Sequence, residues 1–272
     1  MSGTWITDQD YLLREQYKDA TSFSACLQAI KPLLTSPTDW HHWIFRQIRK
    51  DPGCRVLELG CGPGDLWQKN VELIPADWDI TLSDFSAGML KGTQENLRDV
   101  GHAFTFQIID AQAIPFAEAS FDRVIADCML YHVPDLPRAI AEISRVVKSD
   151  GYVYAATFSK DWFSQWGSFL KERKISVPVW QDISGSALKF CLENGHEQLA
   201  PHFSHISLHH LKNMLVVKEA GPLLGIMHAS MPKAEYDEVQ FQQLRELLQR
   251  ELAQNGPMQI NFDMGLFEAS KH

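Results

Sequence analysis

Basic residues are scarce in this sequence relative to acidic ones. It has 25 Lys and Arg against 34 Asp and Glu, with a formal net charge of −9. A surface of this charge repels polyanions and has no basic stripe for phosphates. Nucleic acid is therefore a disfavoured partner unless a local basic groove exists.

Cysteine pairs are also absent. The five cysteines are scattered without a CxxC spacing, so neither a zinc site nor a redox pair is predicted, and reduced, packed thiols are expected. Four histidines cluster late in the chain, but strand alternation places His205 and His209 on one face and His210 on the other. We therefore predict no metal site at these histidines, which are His202, His205, His209 and His210.

Long apolar runs and export signals are missing as well. The N-terminus, MSGTWITDQDY, has neither a basic nor an apolar region of the kind found in signal peptides. The most apolar late stretch is interrupted by Lys218 and Glu219 and falls short of the roughly 18 apolar residues of a membrane span. The expectation is a cytoplasmic protein without a membrane span.

What the sequence does contain is an alternation of strand-forming and helical segments from residue 54 onward. CRVLELG, ITLSD, FTFQIID, FDRVIADC and GYVYAATF are separated by helical stretches, which is typical of βαβ units with helices on both faces of a parallel sheet. We predict an α/β, Rossmann-like domain at 51–272, a helical N-terminal arm at 1–50 and an aromatic cap insertion at about 159–200. Two late strands, HISLHHLKNMLVV and MQINFDMGLFEAS, would complete seven strands.

The segment VLELGCGPGD, residues 56–65, has the glycine spacing of a nucleotide-binding loop. Gly60 and Gly62 lack a Cβ and allow a tight turn close to a ligand. The dinucleotide fingerprint requires a small residue where this chain has Asp65, and a carboxylate there would repel a pyrophosphate. A nicotinamide oxidoreductase is therefore contradicted.

Acidic residues gather at the carboxyl edge of the predicted sheet, where such folds bind ligands. They are Glu58, Asp65, Asp84, Asp110 and Asp127. A ligand on this edge should be cationic or neutral, and S-adenosylmethionine, with a sulfonium, an ammonium and no phosphate, fits. Asp84 ends the second strand, where an acid accepts hydrogen bonds from ribose hydroxyls. Asp110 is expected to accept the adenine amine, the amide of Ala111 to face a ring nitrogen, and Met89 to pack on the adenine.

These segments together resemble a known family. VLELGCGPGDL, TLSDFSAGML, IIDAQAIPF, FDRVIADCMLYHVPD and SDGYVYAATF have the order and spacing of class I S-adenosylmethionine-dependent methyltransferases, in the branch that includes ubiquinone and menaquinone C-methyltransferases. The resemblance covers about residues 50–158. It implies a seven-stranded sheet with an antiparallel last strand, cofactor contacts at Glu58, Gly60, Gly62, Asp84, Asp110 and Ala111, and a cofactor-facing segment at Asp127 and Cys128. It also implies an N-terminal helix that closes over the cofactor and brings in Tyr17. The chain departs from many relatives in having Asp127 where Asn is common.

The predicted chemistry is an in-line methyl transfer to a small molecule. Its main requirement is alignment of the reacting atoms, and a base is needed only for a protonated acceptor. His132 in the loop after the fourth strand is the candidate base, since imidazole titrates near neutral pH, and Tyr131 would orient the acceptor. Aromatic side chains would line an apolar acceptor pocket: Trp40, Trp43, Trp162, Phe163, Trp166 and Trp180.

Two alternatives stay open at this point. One is an RNA or tRNA methyltransferase on the same fold, which the net charge disfavours. The other is a protein that binds S-adenosylmethionine without turning it over. The residues alone do not decide between oxygen, nitrogen and carbon as the methylated atom.

Overall fold

The computed structural model describes residues 4–173, 188–230 and 238–272. Within them, seven strands form one sheet in the order β3-β2-β1-β4-β5-β9-β6, and two strands form a second, small sheet. The strands are β1 (Arg55–Leu59), β2 (Asp79–Asp84), β3 (Phe104–Ile108), β4 (Phe121–Asp127), β5 (Val147–Phe158), β6 (His205–Leu211), β7 (Met214–Val217), β8 (Met258–Asn261) and β9 (Met264–Ser270).

The direction of the strands confirms the predicted fold class. Strands β1 to β5 pair in parallel, whereas the last strand, β9, pairs antiparallel with both β5 and β6. The order reverses at β1, where β2 lies on one side and β4 on the other. In sheets of this kind the crevice at the reversal, beyond the carboxyl ends of the strands, holds the ligand.

The two late strands are each divided in two, which the sequence pattern did not predict. After β6 the chain bends at Asn213, whose backbone amide donates to Asp263 Oδ1 at 2.9 Å. The Asn213 side-chain oxygen in turn accepts from the Met214 amide at 2.9 Å. These local hydrogen bonds replace ladder bonds and redirect the chain, so that β7 and β8 leave the main sheet and pair with each other.

Helices cover both faces of the sheet. Those considered below are α1 (Ala20–Ile30), α2 (Trp40–Gln47), α3 (Asp65–Gln68), α4 (Ala87–Asn96), α5 (Leu136–Val146), α6 (Asp161–Glu172), α7 (Gly195–Leu199), α8 (Ala220–Ser230) and α9 (Glu238–Asn255). Residues before α1 form the short helical turns Thr4–Thr7, Gln9–Tyr11 and Leu12–Gln16. No helix in the described ranges is long and apolar enough to span a bilayer.

Strand alternation divides the buried side chains between the two faces of the sheet. On β4, Val124 packs in a core with α5, while its neighbour Ile125 packs in the opposite core with α2. Adjacent side chains of a strand point to opposite faces, so both faces of a central strand must be apolar. The neighbouring apolar residues Val56 and Leu57 in β1, and the apolar run 124–126 in β4, have this physical origin.

A third core lies outside these two layers. It joins α6, α8, α9, β7 and β8, and the arm contributes Ile6 and Leu33. Helix α8 packs closely against α1 of the arm. Segments from both ends of the sequence therefore build one apolar body beside the sheet.

Candidate functional site

A cavity of about 340 Å³ lies between the carboxyl edge of the sheet and this third core. Its volume is within the roughly 300–1,000 Å³ usual for ligand pockets. All residues predicted to bind the cofactor line it, as do both predicted catalytic residues: Tyr17, Glu58, Gly60, Gly62, Asp84, Met89, Asp110, Ala111, Asp127, Tyr131 and His132. The structure thus brings the predicted site residues together; the role of each stays a prediction.

The glycine loop after β1 needs its glycines for two separate reasons. Gly60 and Gly62 both have a left-handed backbone, with φ of +68° and +54°, which side chains with a Cβ rarely adopt. A Cβ on Gly60 would also lie 2.8 Å from the Cβ of Met129. A larger residue at Gly60 would therefore clash with Met129 in the chain after β4 and displace the loop.

Asp84 ties this loop to the end of β2. One of its carboxylate oxygens accepts from the Gly62 amide at 3.0 Å, and the other accepts from the Ser86 amide at 2.8 Å. Burial raises the pKa of Asp84 to about 6 despite these hydrogen bonds. Each oxygen keeps a lone pair for a further donor such as a ribose hydroxyl.

Glu58, at the end of β1, is almost completely buried. Its Oε2 accepts from the Trp67 indole at 2.6 Å. Burial raises the pKa of Glu58 to about 8, against the effect of that hydrogen bond. This side chain is therefore largely uncharged at neutral pH, and it contributes shape and hydrogen bonding more than negative charge.

Asp127, at the end of β4, is held by helix α2. Its Oδ1 accepts from the Trp40 indole at 3.0 Å, and its Oδ2 lies 3.8 Å from His41 Nε2. The helix starts here because Asp39 accepts from the amides of His41 and His42 at its N-terminus. Burial raises the pKa of Asp127 to about 6. The Trp40–Asp127 bond was not apparent from the sequence.

Asp110, Ala111 and Met89 lie toward the β3 side of the cavity. Asp110 Oδ1 accepts from the Gln112 amide at 2.9 Å, and Gln9 of the arm reaches its Oδ2 at 3.5 Å. Ala111 and Met89 are buried. An apolar surface beside a carboxylate is the environment expected for a flat heterocycle with an exocyclic amine.

The electrostatics of the cavity favour a cationic ligand. Its lining contains four aspartates, together with Glu58, which is largely uncharged at neutral pH, and no Lys or Arg in the part of the chain that is described. The two histidines that line it, His41 and His132, are neutral at pH 7, because burial lowers the pKa of each to about 4. A sulfonium and an ammonium would neutralise such a site, so its residues fit S-adenosylmethionine.

Tyr17 and His132 form a hydrogen-bonded pair inside the cavity. Tyr17 Oη lies 2.7 Å from His132 Nε2, and His132 Nδ1 lies 2.7 Å from the backbone oxygen of Ile6. A carbonyl can only accept, so Nδ1 carries the proton and Nε2 accepts from the phenol. Burial raises the pKa of Tyr17. The pair can relay a proton from a hydroxyl that contacts Tyr17 Oη to the imidazole.

The arm that carries Tyr17 is anchored on the start of α4. Ser86 Oγ donates to the Tyr17 backbone oxygen at 2.6 Å. A Cβ on Gly88 would lie 1.7 Å from the Lys18 backbone oxygen. Only glycine therefore permits this approach.

Tyr131 packs its ring against His132, with ring centroids 4.4 Å apart, and against Phe158 at 4.9 Å. Burial raises the pKa of Tyr131 well above its usual value. The residue thus supports one side of the imidazole while lining the cavity. Its predicted role in orienting the acceptor is compatible with this position.

The aromatic pocket prediction was partly wrong. Trp40 and Trp162 line the cavity, but Trp43 and Trp166 do not. Trp43 stacks behind Trp40 at 5.3 Å, and Trp166 stacks on Phe169 within the third core. Trp180 lies outside the described residues, and for Phe163 only the helical backbone is described. Apolar residues not anticipated from sequence complete the wall: Phe23, Leu27, Ile30, Phe158, Leu188, Ile226, Phe262 and Met264.

The signal for these missed residues was weak in the sequence. They come from the arm, from the end of β5, from the segment before α7, from α8, from the bend between β8 and β9 and from the start of β9. These segments are far apart along the chain. In the sequence alone, an apolar side chain in these segments cannot be told from an ordinary core residue. In the described ranges, no group of His, Cys, Asp or Glu has the arrangement of a metal site.

Comparison with known sequences places the site in context. A family model described as a methyltransferase domain matches residues 50–200, more than half of the chain. The ubiquinone/menaquinone biosynthesis C-methyltransferase UbiE of Ralstonia pickettii is 33% identical over 123 residues, covering 45% of this chain and 51% of that protein. The protein of the same name from Shewanella halifaxensis is 34% identical over 123 residues, covering 44% and 49%. The chain therefore spans about half the length of the curated relatives it matches.

Solved structures share the fold at low sequence identity. The YcgJ protein of Bacillus subtilis superposes with a TM-score of 0.61 at 16% identity, covering 85% of this chain and 98% of that one. Phosphoethanolamine N-methyltransferase 2 of Haemonchus contortus, solved in complex with S-adenosyl-L-methionine, gives a TM-score of 0.58 at 20% identity, covering 97% and 59%. At these identities the likeness establishes the architecture alone.

Proposed function

Since the chain belongs to the methyltransferase-domain family, and within it to the class I S-adenosylmethionine-dependent methyltransferases, we propose that it methylates a small, largely apolar molecule in the cavity described above. The observation that carries this proposal is the composition of that cavity. One side consists of the glycine loop and the acidic residues, and the other consists of apolar side chains around the Tyr17–His132 pair.

Binding of the cofactor would use the sheet edge. Asp84 would accept from the ribose hydroxyls, Asp110 and Ala111 would hold the adenine with Met89 packed on it, and the loop at Gly60 and Gly62 would lie against the methionine part. Bound there, S-adenosylmethionine supplies an electrophilic methyl group on a sulfonium.

The acceptor would lie under the arm. The arm, within residues 1–50, and helix α6, within the segment at about 159–200, contribute Trp5, Ile6, Leu12 and Trp162 to the apolar wall. Burying the apolar part of the acceptor against these side chains would exclude water and fix the orientation of the acceptor. Alignment alone can supply up to roughly 7 to 11 kcal/mol of the barrier reduction. A phosphate or carboxylate on the acceptor would meet acidic residues and no Lys or Arg in the described lining.

The Tyr17–His132 pair would remove a proton from the acceptor. An acceptor hydroxyl that donates to Tyr17 Oη can pass its proton to the phenol as the phenol proton moves to His132 Nε2. The neutral imidazole has a lone pair for this purpose because its Nδ1 proton is bonded to Ile6. General base catalysis contributes about 10² to 10⁴-fold, most when the pKa of the base is near the working pH. Burial lowers the pKa of His132 to about 4, so we expect a contribution at the lower end of this range.

We further propose carbon as the methylated atom, because the matched relatives are named C-methyltransferases. Loss of a hydroxyl proton raises the electron density on the neighbouring ring or enol carbon, which then takes the methyl group. The residues that would recognise the acceptor lie largely outside the matched range of 50–200, so the acceptor must be found by experiment.

The test has a binding stage and a reaction stage. Calorimetric titration of the purified protein with S-adenosylmethionine, S-adenosylhomocysteine and NADH should give saturable binding of the first two and none of NADH. Hydroxylated naphthalenes and phenols would then be screened with cofactor labelled with ¹³C in the methyl group, so that NMR identifies the methylated atom.

Each outcome separates the candidates. NADH binding alone would refute the cofactor assignment. Tight cofactor binding with no transfer to any small molecule, but with transfer to bulk RNA, would favour the nucleic-acid alternative. Label on oxygen or nitrogen would correct the proposal for carbon and leave the cofactor site unchanged.

A further inference from the structure

Asp127 is a buried carboxylate that no Lys or Arg of the described residues contacts; the Lys69 ammonium acts on it only from a distance. Its side chain is only 9% exposed, and its hydrogen-bond donors are uncharged: the Trp40 indole, at 3.0 Å, and the Cys128 thiol. Buried charges in proteins are ordinarily paired with an opposite charge or a metal ion. The described residues form no metal site, so the missing positive charge is expected to come from a ligand.

The neighbouring histidine does not supply that charge. Lys69 Nζ lies 3.1 Å from His41 Nδ1 and 2.8 Å from Asp39 Oδ2. An ammonium can only donate, so Nδ1 is an acceptor and the ring proton is on Nε2, which lies 3.8 Å from Asp127 Oδ2. The imidazole is therefore a neutral neighbour, and the Lys69 ammonium contacts Asp39 and His41.

The order of the strands in the sheet indicates which part of the cofactor Asp127 would contact. The acids end neighbouring strands in the order Asp110, Asp84, Glu58 and Asp127, on β3, β2, β1 and β4. Strands are about 4.8 Å apart, so Asp84 is roughly 10 Å from Asp127 along the edge. The turn that carries His132 follows β4 directly. The pKa of Tyr131 is raised by burial and also by the charge of Asp127, and the Tyr131 ring packs on His132 at 4.4 Å. Asp127 therefore lies on the side of the cavity where Tyr131 and His132 are, beside which the methyl group must be transferred.

Two other acids lie near this position, Asp65 and Glu58. Asp65 is in the first turn of α3 and does not end a strand, and Glu58 is less suited to bind a cation. Its Oε2 is occupied by the Trp67 indole at 2.6 Å, and only 1% of the residue is exposed. A carboxyl group so enclosed is largely protonated at neutral pH.

From this placement we propose that Asp127 distinguishes the charge on the cofactor sulfur: its carboxylate, positioned by Trp40, favours the sulfonium of S-adenosylmethionine over the uncharged thioether of S-adenosylhomocysteine. The inference rests on the proposed function. Transfer of the methyl group removes the positive charge and with it this attraction, so the product is released from a site that no longer favours it.

Calorimetric dissociation constants for the two ligands test the proposal. Asp127→Asn should raise the dissociation constant of S-adenosylmethionine by a factor at least ten times larger than that for S-adenosylhomocysteine. Asp110→Asn is the matched control, because it removes a carboxylate at the far end of the same cavity and should change both affinities by the same factor. Trp40→Phe keeps an aromatic ring beside Trp43 but removes the indole N–H donor together with one of the two fused rings. It should reduce the preference for the sulfonium by about threefold.

The ammonium is common to both ligands. If Asp127→Asn lowers the affinity for both by the same factor, the carboxylate binds the ammonium and the proposal is wrong. Unchanged affinity for both would overturn it as well. If the wild-type protein binds neither ligand, the proposed function itself fails, and that result is distinct from a loss of discrimination. Should Asp127→Asn not fold, an unchanged affinity ratio in Trp40→Phe is sufficient to reject the inference.

Discussion

Replacing Asp127 by Asn should stabilise the protein in the absence of ligand. The pKa of Asp127 is raised from 3.8 to about 6 by burial, so ionising it in the folded state costs more than in the unfolded chain. A difference of about 2 pKa units corresponds to about 3 kcal/mol at neutral pH. Asn has nearly the same shape, carries no charge and keeps an oxygen for the Trp40 indole. We therefore expect an increase of about 3 kcal/mol in the free energy of unfolding at pH 7.5.

The pH dependence of this gain is the critical feature. A raised folded-state pKa means that the wild-type protein loses stability as pH rises from about 4 to 6, and that the full loss is present above pH 6. The advantage of Asp127→Asn should be about 3 kcal/mol at pH 7.5, roughly half of that at pH 5, and small at pH 4. Urea unfolding followed by circular dichroism at these three pH values measures it, and the melting temperature at pH 7.5 should rise by roughly 6 to 12 °C.

Asp122→Asn is a matched control with the opposite sign. Partial burial opposes ionisation of Asp122, but hydrogen bonds from Lys148 and from the Arg55 amide hold its pKa below the usual value. That variant should lose stability at pH 7.5, and the loss should disappear on acidification. If Asp127→Asn gave no gain at pH 7.5, or a gain independent of pH, the carboxylate would not be a buried charge and the reasoning about this site would be wrong.

Three further predictions concern the arm, the proton relay and the cofactor. Gly88→Ala should displace the arm, because its Cβ would meet the Lys18 backbone oxygen, and limited proteolysis should cut the arm faster; Gly92→Ala in the same helix has ordinary contacts only and should not change the cleavage rate. Tyr17→Phe should lower kcat by about 10² or more while the dissociation constant of S-adenosylhomocysteine stays within about twofold; an unchanged kcat would contradict the relay to His132. Binding of S-adenosylmethionine should weaken as pH falls through 6, because the buried aspartates with raised pKa values must ionise to bind a cation. Calorimetric titrations in buffers of different ionisation enthalpy should show that binding releases protons below pH 6. If no protons are released, the cation site is not lined by carboxylates.

Local patterns in the sequence were sufficient for the fold class and for the cofactor side of the site. Strand alternation predicted which segments form the parallel sheet, because the burial of both faces requires apolar runs in the central strands. The glycine loop could be interpreted residue by residue, since a left-handed backbone at Gly60 depends mainly on the chain itself. Acids at strand ends could be grouped at one edge because parallel strands end together.

The acceptor side depended on contacts that no local pattern contains. Tyr17 and His132 are 115 residues apart in the chain, and their hydrogen bond exists only because the arm packs on Ser86 and Gly88. Trp40 and Trp43 are equivalent as sequence features, yet helix α2 turns one toward Asp127 and the other behind it. The late strands were predicted as continuous because their residues favour strands, whereas the Asn213–Asp263 hydrogen bond divides them.

The sequence by itself therefore determined the sheet, the glycine loop and the row of acids, because these follow from backbone geometry and from short-range periodicity. The tertiary structure alone decided which aromatic rings face the cavity, which carboxylates are left without a cation and which histidine nitrogen accepts a proton. Those properties depend on burial and on partners brought together from distant segments, and side chains of the same type acquire different chemistry when their surroundings differ.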